Sequence, residues 1–559
     1  MQWKRWARVR TRTSRWTMAA LAGLLALLPV WAGACRHRPA LILRESRPLT
    51  VIGPPPAEGG GLSIPGYGAE EYDAVPHHPF RRTAEPGNDA STFAVDVDTA
   101  SYANVRRILM KNRMAPPPGA VRIEEFVNAF ATEDAPPGPD AAHPLAVHAE
   151  VGRCPWARSH RLVRVALKAR TVSDDAWPGC NLVFLVDVSG SMASGDKLPL
   201  VVTGLRMLAE RLTARDRIAI VTYAGSSGVA LPSTPGDRTR TIRNALDRLR
   251  AGGSTNGEAG IRLAYRLARQ HRIEGGANRV ILCTDGDFNV GISDRSRLVD
   301  LVAAEAAGGV DLTVLGVGAG NYRDGAMEAL SNRGNGVAHY IDSEREARKV
   351  LVERAAGTLI TVARDVKVQV FFDPGRVTAW RLIGYENRRL AREDFGDDTR
   401  DGGEVGAGHC VVALYEIVPP GVSVPGRGSD PNPFVRSAPV APAAPNAPAM
   451  SAAPNASNAS DGALLQVRVR YCPPAGGPSV LVERMAPDRV VETPGRDFRW
   501  TTAVAGAGLL LRQSPYAGDL TWAMVDALAR SARTPDPDGE RAGFLELVRV
   551  ARILVPGEG

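Results

Sequence analysis

Residues 181–192 read NLVFLVDVSGSM, a continuous apolar run that ends in a carboxylate and two hydroxyls at alternating positions. A run of this length without polar alternation marks a strand buried on both faces. Three more such runs follow, RIAIVTYA, RVILCTD and DLTVLGVG, separated by segments of helical periodicity. Leu198, Val201, Val202, Leu205, Leu208 and Leu212 recur at three- and four-residue spacing and give the first helix one core stripe. TIRNALDRLR, IRLAYRLARQ, AMEALSNRG and SEREARKVLVERA read as further helices. Strand alternating with helix predicts an α/β fold over 181–356, a doubly wound and mainly parallel sheet. Sheets of this kind bind ligands beyond the carboxyl ends of their strands, where Asp187, Ser189 and Ser191 fall.

Hard oxygen atoms at alternating positions of a tight loop can turn toward one cation, although Ser and Asp before a helix also serve as N-caps. Two distant segments favour the cation. AGGSTNGEAG (251–260) presents Thr255 in a Gly-rich loop before a helix, and CTDGDFN (283–289) presents Asp285 at the end of another buried strand. All three loops lie on the same edge of the predicted sheet. With DVSGS matching DxSxS, and Thr255 and Asp285 in the later positions, the chain resembles the von Willebrand factor type A family. The resemblance implies a metal-ion-dependent adhesion site made of Asp187, Ser189, Ser191, Thr255 and Asp285. It implies direct ligation by the two serines, direct or water-mediated ligation by Thr255, and water-mediated roles for the two aspartates. Magnesium suits such a site, with manganese and calcium as alternatives, and one open position would accept an Asp or Glu carboxylate from a protein partner. Asp287 could join the outer ring of the site or act as a plain loop carboxylate.

An echo of the opening motif, FAVDVDTAS at 93–101, also leaves an apolar strand with two carboxylates, Asp96 and Asp98. Magnesium-dependent phosphohydrolases present a nucleophile and an acid/base aspartate this way, but the fifth motif position here is Ala100 and no later Lys and acidic motif sits at a fitting element end. The following YANVRRILMKN reads instead as a helix capped by Thr99 or Ser101. STFAVDVDTASYANVRRIL and PPPGAVRIEEFVNAF are similar to a small region that precedes the A domain in a bacterial subfamily. That similarity continues through TYAG, LPSTPGDR, RLIGYENR and DFRWTTAVAGAGLLLR into a C-terminal domain of unknown function.

Outside the α/β unit the pattern changes. RLVRVALKA, DVKVQVFFD, HCVVALYEIV and LLQVRVRY alternate polar and apolar residues, as half-exposed strands do. Because they flank the α/β unit on both sides, that unit is predicted to be inserted in a β-sandwich-like module, followed by helices in LTWAMVDALARSA and RAGFLELVRVARIL. The expected organisation is a signal peptide (1–34), a disordered tether (35–88), the small N-terminal α/β region (89–135), a flanking β segment (145–180), the A domain (181–356), a second β segment (358–425), a Pro/Ala-rich linker (430–462) and a C-terminal β-then-helical domain (463–556).

The formal charge of +8 is concentrated at the start: Lys4, Arg5, Arg8, Arg10, Arg12 and Arg15 account for six charges and leave about +2 elsewhere. No nucleic-acid partner is implied. Those charges precede the apolar stretch AALAGLLALLPVWAGA, the layout of a secretory signal. Small residues directly before Cys35 resemble a bacterial lipobox, so Cys35 is the expected lipidation site and the protein is expected in the cell envelope, otherwise secreted. The remaining cysteines, Cys154, Cys180, Cys283, Cys410 and Cys472, form no metal-binding spacing, and Cys283 within RVILCT reads as a buried thiol. With no HExxH, P-loop or GxSxG motif present, the expectation is a binding protein rather than an enzyme. The alternatives are a phosphohydrolase using Asp96 and Asp98, and a structural envelope protein in which a metal steadies the loops.

Overall fold

The computed structural model describes residues 69–173, 176–254, 257–286, 295–425 and 462–555. Cys35, the signal peptide, Thr255, Asp287 and the stretch 437–460 lie outside them. A six-stranded sheet forms the centre of the α/β unit, in the spatial order Ala338–Ile341, Asp311–Val317, Ala277–Thr284, Cys180–Asp187, Arg217–Tyr223 and Ser227–Pro235. All neighbours pair in parallel except the last, an antiparallel edge. In the central strand, Leu182, Phe184 and Val186 face one core, while Val183 and Leu185 face another. Both faces are therefore buried, which is why the run carries no polar alternation. The helix Leu198–Ala209 covers the first face through Leu205 and Leu208, and Gly257–Gln270 covers the second through Ile261 and Tyr265.

The flanking strands form a sandwich. One sheet runs Arg81–Arg82, Ala379–Ile383, Cys410–Val418, Arg161–Ala169, Leu145–Arg153; the other runs Gly403–Gly406, Thr361–Phe372, Ala463–Cys472, Val480–Pro487, with Ala90–Ala94 beside Thr361–Phe372. Val163, Val165, Ala413 and Tyr415 from the first sheet meet Val368, Val370, Val467 and Val469 from the second in one core. The strand Ala463–Cys472 pairs residue by residue with Thr361–Phe372, so the segment after the long linker completes a sheet begun before it.

The expectation of half-exposed strands is corrected for most of them. Polar residues predicted to face water are buried: Arg164, Lys367 and Glu416 expose 3%, 0% and 2% of their surface. Leu162, Ala166, Val412 and Leu414 belong to the same apolar core as the C-terminal helices Arg496–Leu511, Trp522–Ser531 and Glu540–Leu554. Each buried charge has a partner. Arg164 donates to Asp134 Oδ1 at 2.9 Å, Lys367 to the Asp397 carbonyl at 2.7 Å, and Glu416 accepts from Arg381 at 2.6 Å. Ala463–Cys472 alone keeps the predicted alternation, with Arg468 and Arg470 turned outward and half-buried.

The tether ends earlier than predicted. Residues 69–88 pack into the fold, with Glu70 buried against Arg107 at 2.8 Å and Tyr72 buried in the core, so the Pro- and Gly-rich composition there reflects an irregular path rather than disorder. The predicted side-chain cap is also corrected. Thr99 stands at the N-cap of Ala100–Arg107 without capping it, because its hydroxyl bonds His339 Nδ1 at 2.9 Å, and Ser101 Oγ donates to the Ala120 carbonyl. Asp96 and Asp98 are only 2% exposed. Arg388 donates to Asp96 Oδ2 at 3.0 Å and the Ala338 N–H to Asp98 Oδ1 at 2.8 Å, which joins this segment to the second β segment and to the A domain. A nucleophile needs access to substrate, and neither carboxylate has it. Among the described residues, no helix is long and apolar enough to cross a membrane.

Candidate metal centre

Asp187 is the last residue of its strand and fully buried, while Ser191, in the turn that follows, is exposed. The carboxylate arranges the turn: its Oδ1 accepts the Ser189 backbone N–H at 2.8 Å, which folds the chain back and brings the Ser189 and Ser191 hydroxyl oxygens to 3.0 Å from each other. Oδ2 has no partner at hydrogen-bonding geometry and no contact with solvent. Burial pushes the Asp187 carboxyl up to about 6, the Ser189 donors oppose this, and the nearby Asp285 charge adds to it. Tyr223, buried beside it, also eases ionisation.

The Gly-rich loop touches this one, and the strand that carries Asp285 ends beside it. The Gly252 N–H donates to the Val188 carbonyl at 2.7 Å, and the Gly190 N–H to the Gly253 carbonyl at 3.0 Å. The Gly-rich loop is thus held against the serine turn up to two residues before Thr255. Gly253 has φ +90°, a left-handed conformation that suits glycine. Asp285 follows the strand Ala277–Thr284, which lies in register beside Cys180–Asp187 with Cys283 opposite Val186. It is 1% exposed. Asp187, Ser189, Ser191 and Asp285 therefore share one sheet edge.

A residue not predicted from the sequence sits among them. Lys197 Nζ donates to Asp285 Oδ2 at 2.8 Å, and Asn321 Nδ2 approaches the same oxygen at 3.4 Å. Lys197 is 7% exposed and its alkyl stem lies across Gly318, whose φ of +71° and missing side chain make room for it. A signal was present in the sequence: Lys197 precedes the helix Leu198–Ala209, and a helix N-terminus disfavours positive charge unless something else holds it there.

The donor set fits a hard divalent cation. It offers an unpartnered buried carboxylate oxygen, two adjacent hydroxyls and an outward side at Ser191, with the Asp285 charge already balanced by an ammonium. A second grouping, Asp365, Asp398 and Cys472, brings its ligand atoms within 4.8 Å of one another. Its carboxylates already answer Lys367 and Arg470, both at 3.0 Å, so it reads as a salt-bridged sheet edge. All five described cysteines are free, and Cys283 is fully buried as predicted.

Residues 67–164 match the family profile described as von Willebrand factor, residues 182–287 that of the von Willebrand factor type A domain, and residues 357–554 that of Uncharacterized protein YfbK, C-terminal. The chain is 39% identical over 501 residues to Uncharacterized protein YfbK of Escherichia coli (strain K12), covering 89% of this chain and 83% of that protein. It is 29% identical over 192 residues to human inter-alpha-trypsin inhibitor heavy chain H3, covering 32% of this chain and 21% of that one. Among solved structures, a von Willebrand factor type A protein from Catenulispora acidiphila aligns over 75% of this chain and 92% of its own, at 15% identity and a TM-score of 0.41. The A-type sheet, the profiles on either side of it and the near full-length similarity to YfbK together place the chain in the YfbK family of bacterial von Willebrand factor type A domain proteins.

Proposed function

We propose that this protein binds a partner protein through a divalent cation held by Ser189, Ser191 and Thr255, with Asp187 and Asp285 supporting it, and that the partner supplies an Asp or Glu carboxylate. The observation that carries this reading is Asp187 Oδ2, buried without a hydrogen-bond partner beside two hydroxyls 3.0 Å apart. Leaving a carboxylate oxygen in that state costs free energy that a cation would recover. When bound, the cation supplies an electrophilic site for an incoming carboxylate. The protein orients that exchange by fixing the serine turn through the Ser189 N–H and by neutralising Asp285 with Lys197, which leaves fewer negative charges to compete with the partner's own.

The arrangement serves binding and not turnover, and it suits an adhesion or scaffold role at the cell envelope. Export and anchoring through Cys35 are part of the same proposal, supported by the basic, apolar and small-residue order of the first 35 residues. Titration calorimetry of the full chain with magnesium chloride, followed by capture of envelope proteins with and without chelator, tests the reading. The expected result is one magnesium site lost in Asp187→Ala with Ser189→Ala, and capture that disappears with chelator. Unchanged magnesium binding in that double variant would sink the proposal. The mass of the mature amino terminus tests the anchor, since an unmodified Cys35 rules it out.

A further inference from the structure

The motif RLIGYENRRL (381–390), prominent in the sequence yet remote from the cation site, forms one wall of a separate pocket. The opposite wall comes from His78 to Arg81, and the floor from Ser91 and Thr92. The cavity holds about 110 Å³, room for a small anion. Its walls are tied to one another. Arg81 pairs with Trp380 across two antiparallel strands, the Leu390 N–H donates to the Thr92 carbonyl at 3.0 Å, and the Ala94 N–H to the Arg388 carbonyl at 2.9 Å.

Three guanidinium groups line this space, and among the described residues only one has a counter-charge. Arg392 pairs with Asp89 at 2.6 Å. Arg81 has a neutral partner, Asn88 Oδ1 at 3.2 Å, and the neighbouring charge acting on it is the like charge of Arg389. Arg389 is exposed at the mouth of the cavity, and no carboxylate among the described residues acts on it. Among the described residues no acid stands between Arg81 and Arg389, and an anion placed in the cavity is attracted by both.

His78 narrows the choice of anion. It is 7% exposed, and its Nε2 has no hydrogen-bond partner. Burial, with Arg389 and Arg81 adding to it, lowers its pKa to about 4, so the ring is neutral at pH 7. The Tyr385 backbone carbonyl engages the ring, and Nε2, the nitrogen without a partner, is the one left to meet a ligand in the cavity that His78 lines. Thr92 Oγ1 accepts from Gln369 Nε2 at 3.0 Å, so its own hydroxyl proton remains available to donate.

We propose that this pocket binds a single phosphate group in its protonated form, with Arg81 and Arg389 on its charged oxygens, the Thr92 hydroxyl donating to another, and the His78 lone pair accepting from its P–OH. Sulfate carries the same shape and charge but no proton at neutral pH. It can meet the arginines and leaves His78 unsatisfied, so phosphate is preferred for the same reason that a buried donor or acceptor punishes a ligand lacking its complement.

Calorimetry of the full chain at pH 7 with inorganic phosphate, and separately sulfate, at constant ionic strength set with sodium chloride tests this. Glycerol phosphate in a third titration separates the free ion from a phosphate carried on a larger molecule, and binding of either supports the site. Phosphate is expected to bind with a stoichiometry of one, at least tenfold tighter than sulfate. Arg81→Gln with Arg389→Gln is expected to weaken it at least tenfold without lowering the melting temperature, because the two like charges repel and neither side chain supports the core. His78→Phe should narrow the gap between phosphate and sulfate. If that variant fails to fold, Thr92→Val provides the second reading and should cost phosphate affinity. Absence of saturable phosphate binding, or full affinity in the double arginine variant, overturns the proposal. Equal affinities for phosphate and sulfate overturn the role of His78. The same titration with Ser189→Ala keeps this site apart from the cation site: phosphate binding should persist there.

Discussion

Lys197 Nζ stands 2.8 Å from Asp285 Oδ2, both groups buried, at the edge of the sheet where the serine turn also ends. The protein thus carries a covalently attached cation against one of the acids expected to support a metal. The ammonium lowers the charge available to the metal and at the same time holds Asp285 in place when no metal is bound.

Lys197→Met should therefore have two opposing effects. Without divalent cation the variant loses stability, by about 3–5 kcal/mol, because a buried charge has lost its partner. With magnesium it should bind at least tenfold tighter than the parent, about 1.4 kcal/mol, since a unit charge a few ångström away acts with several kcal/mol at an effective dielectric near 20. Thermal melts with and without magnesium check both: the magnesium-induced rise in Tm should be larger in the variant.

Gly318→Ala tests the same pair from the other side. A Cβ there would come within 2.3 Å of Lys197 Cγ, and the backbone is at φ +71°, which alanine adopts only with strain. The expected outcome is a loss of about 1–3 kcal/mol together with displacement of Lys197. Denaturant titration gives the first, and the same magnesium titration gives the second.

Ser189→Ala removes a hydroxyl while leaving the backbone N–H that Asp187 uses, so the turn should persist. Stability should change by no more than about 1 kcal/mol in the absence of metal. Magnesium affinity should fall at least tenfold. Calorimetry beside far- and near-ultraviolet circular dichroism separates loss of a ligand from loss of the fold.

The buried acids give the fold a pH dependence of defined sign. Burial, with Glu386 adding to it, pushes Glu124 up to about 7 from its ordinary 4.5, and burial likewise raises Asp98. A carboxyl raised in this way binds its proton more tightly folded than unfolded. Its contribution to stability is present below about pH 4.5 and is lost as pH rises through 7. Glu124→Gln should remove part of that slope, gaining on the order of 2 kcal/mol at pH 8 relative to the parent while changing little at pH 5. Urea denaturation at the two pH values checks it, and a parallel shift at both would contradict the assignment.

Trp500 anchors the C-terminal helices to the N-terminal region. Its ring meets Phe130 edge-on at 5.1 Å and Phe544 at 5.3 Å, and Arg541 lies 4.4 Å above it. Trp500→Ala should cost about 3–5 kcal/mol. Because the cluster joins segments from both ends of the described chain, the loss should appear in the main unfolding transition and not as a separate early step, which calorimetric scanning resolves.

NLVFLVDVSGSM and its three companion runs determined the four inner strands of the central sheet, because burial on both faces leaves a continuous apolar signature that survives any arrangement of neighbours, while the two edge strands emerged only in the structure. The order of DVSGS, the Gly-rich loop and CTDG likewise determined that these loops share an edge, since parallel strands joined by helices deliver their carboxyl ends to one side. What the flanking strands meet was decided by tertiary structure alone. Arg164, Lys367 and Glu416 alternate with apolar residues as solvent-facing positions do, and only tertiary packing turns them inward: the C-terminal helices cover the face of Arg164 and Glu416, the segment around Asp397 covers Lys367, and each charge meets a specific counter-group. Lys197 and the pocket at Arg81 and Arg389 belong to the same class. A charge in the sequence shows its presence, whereas its partner, or the lack of one, depends on residues tens to hundreds of positions away that only the fold brings within a few ångström.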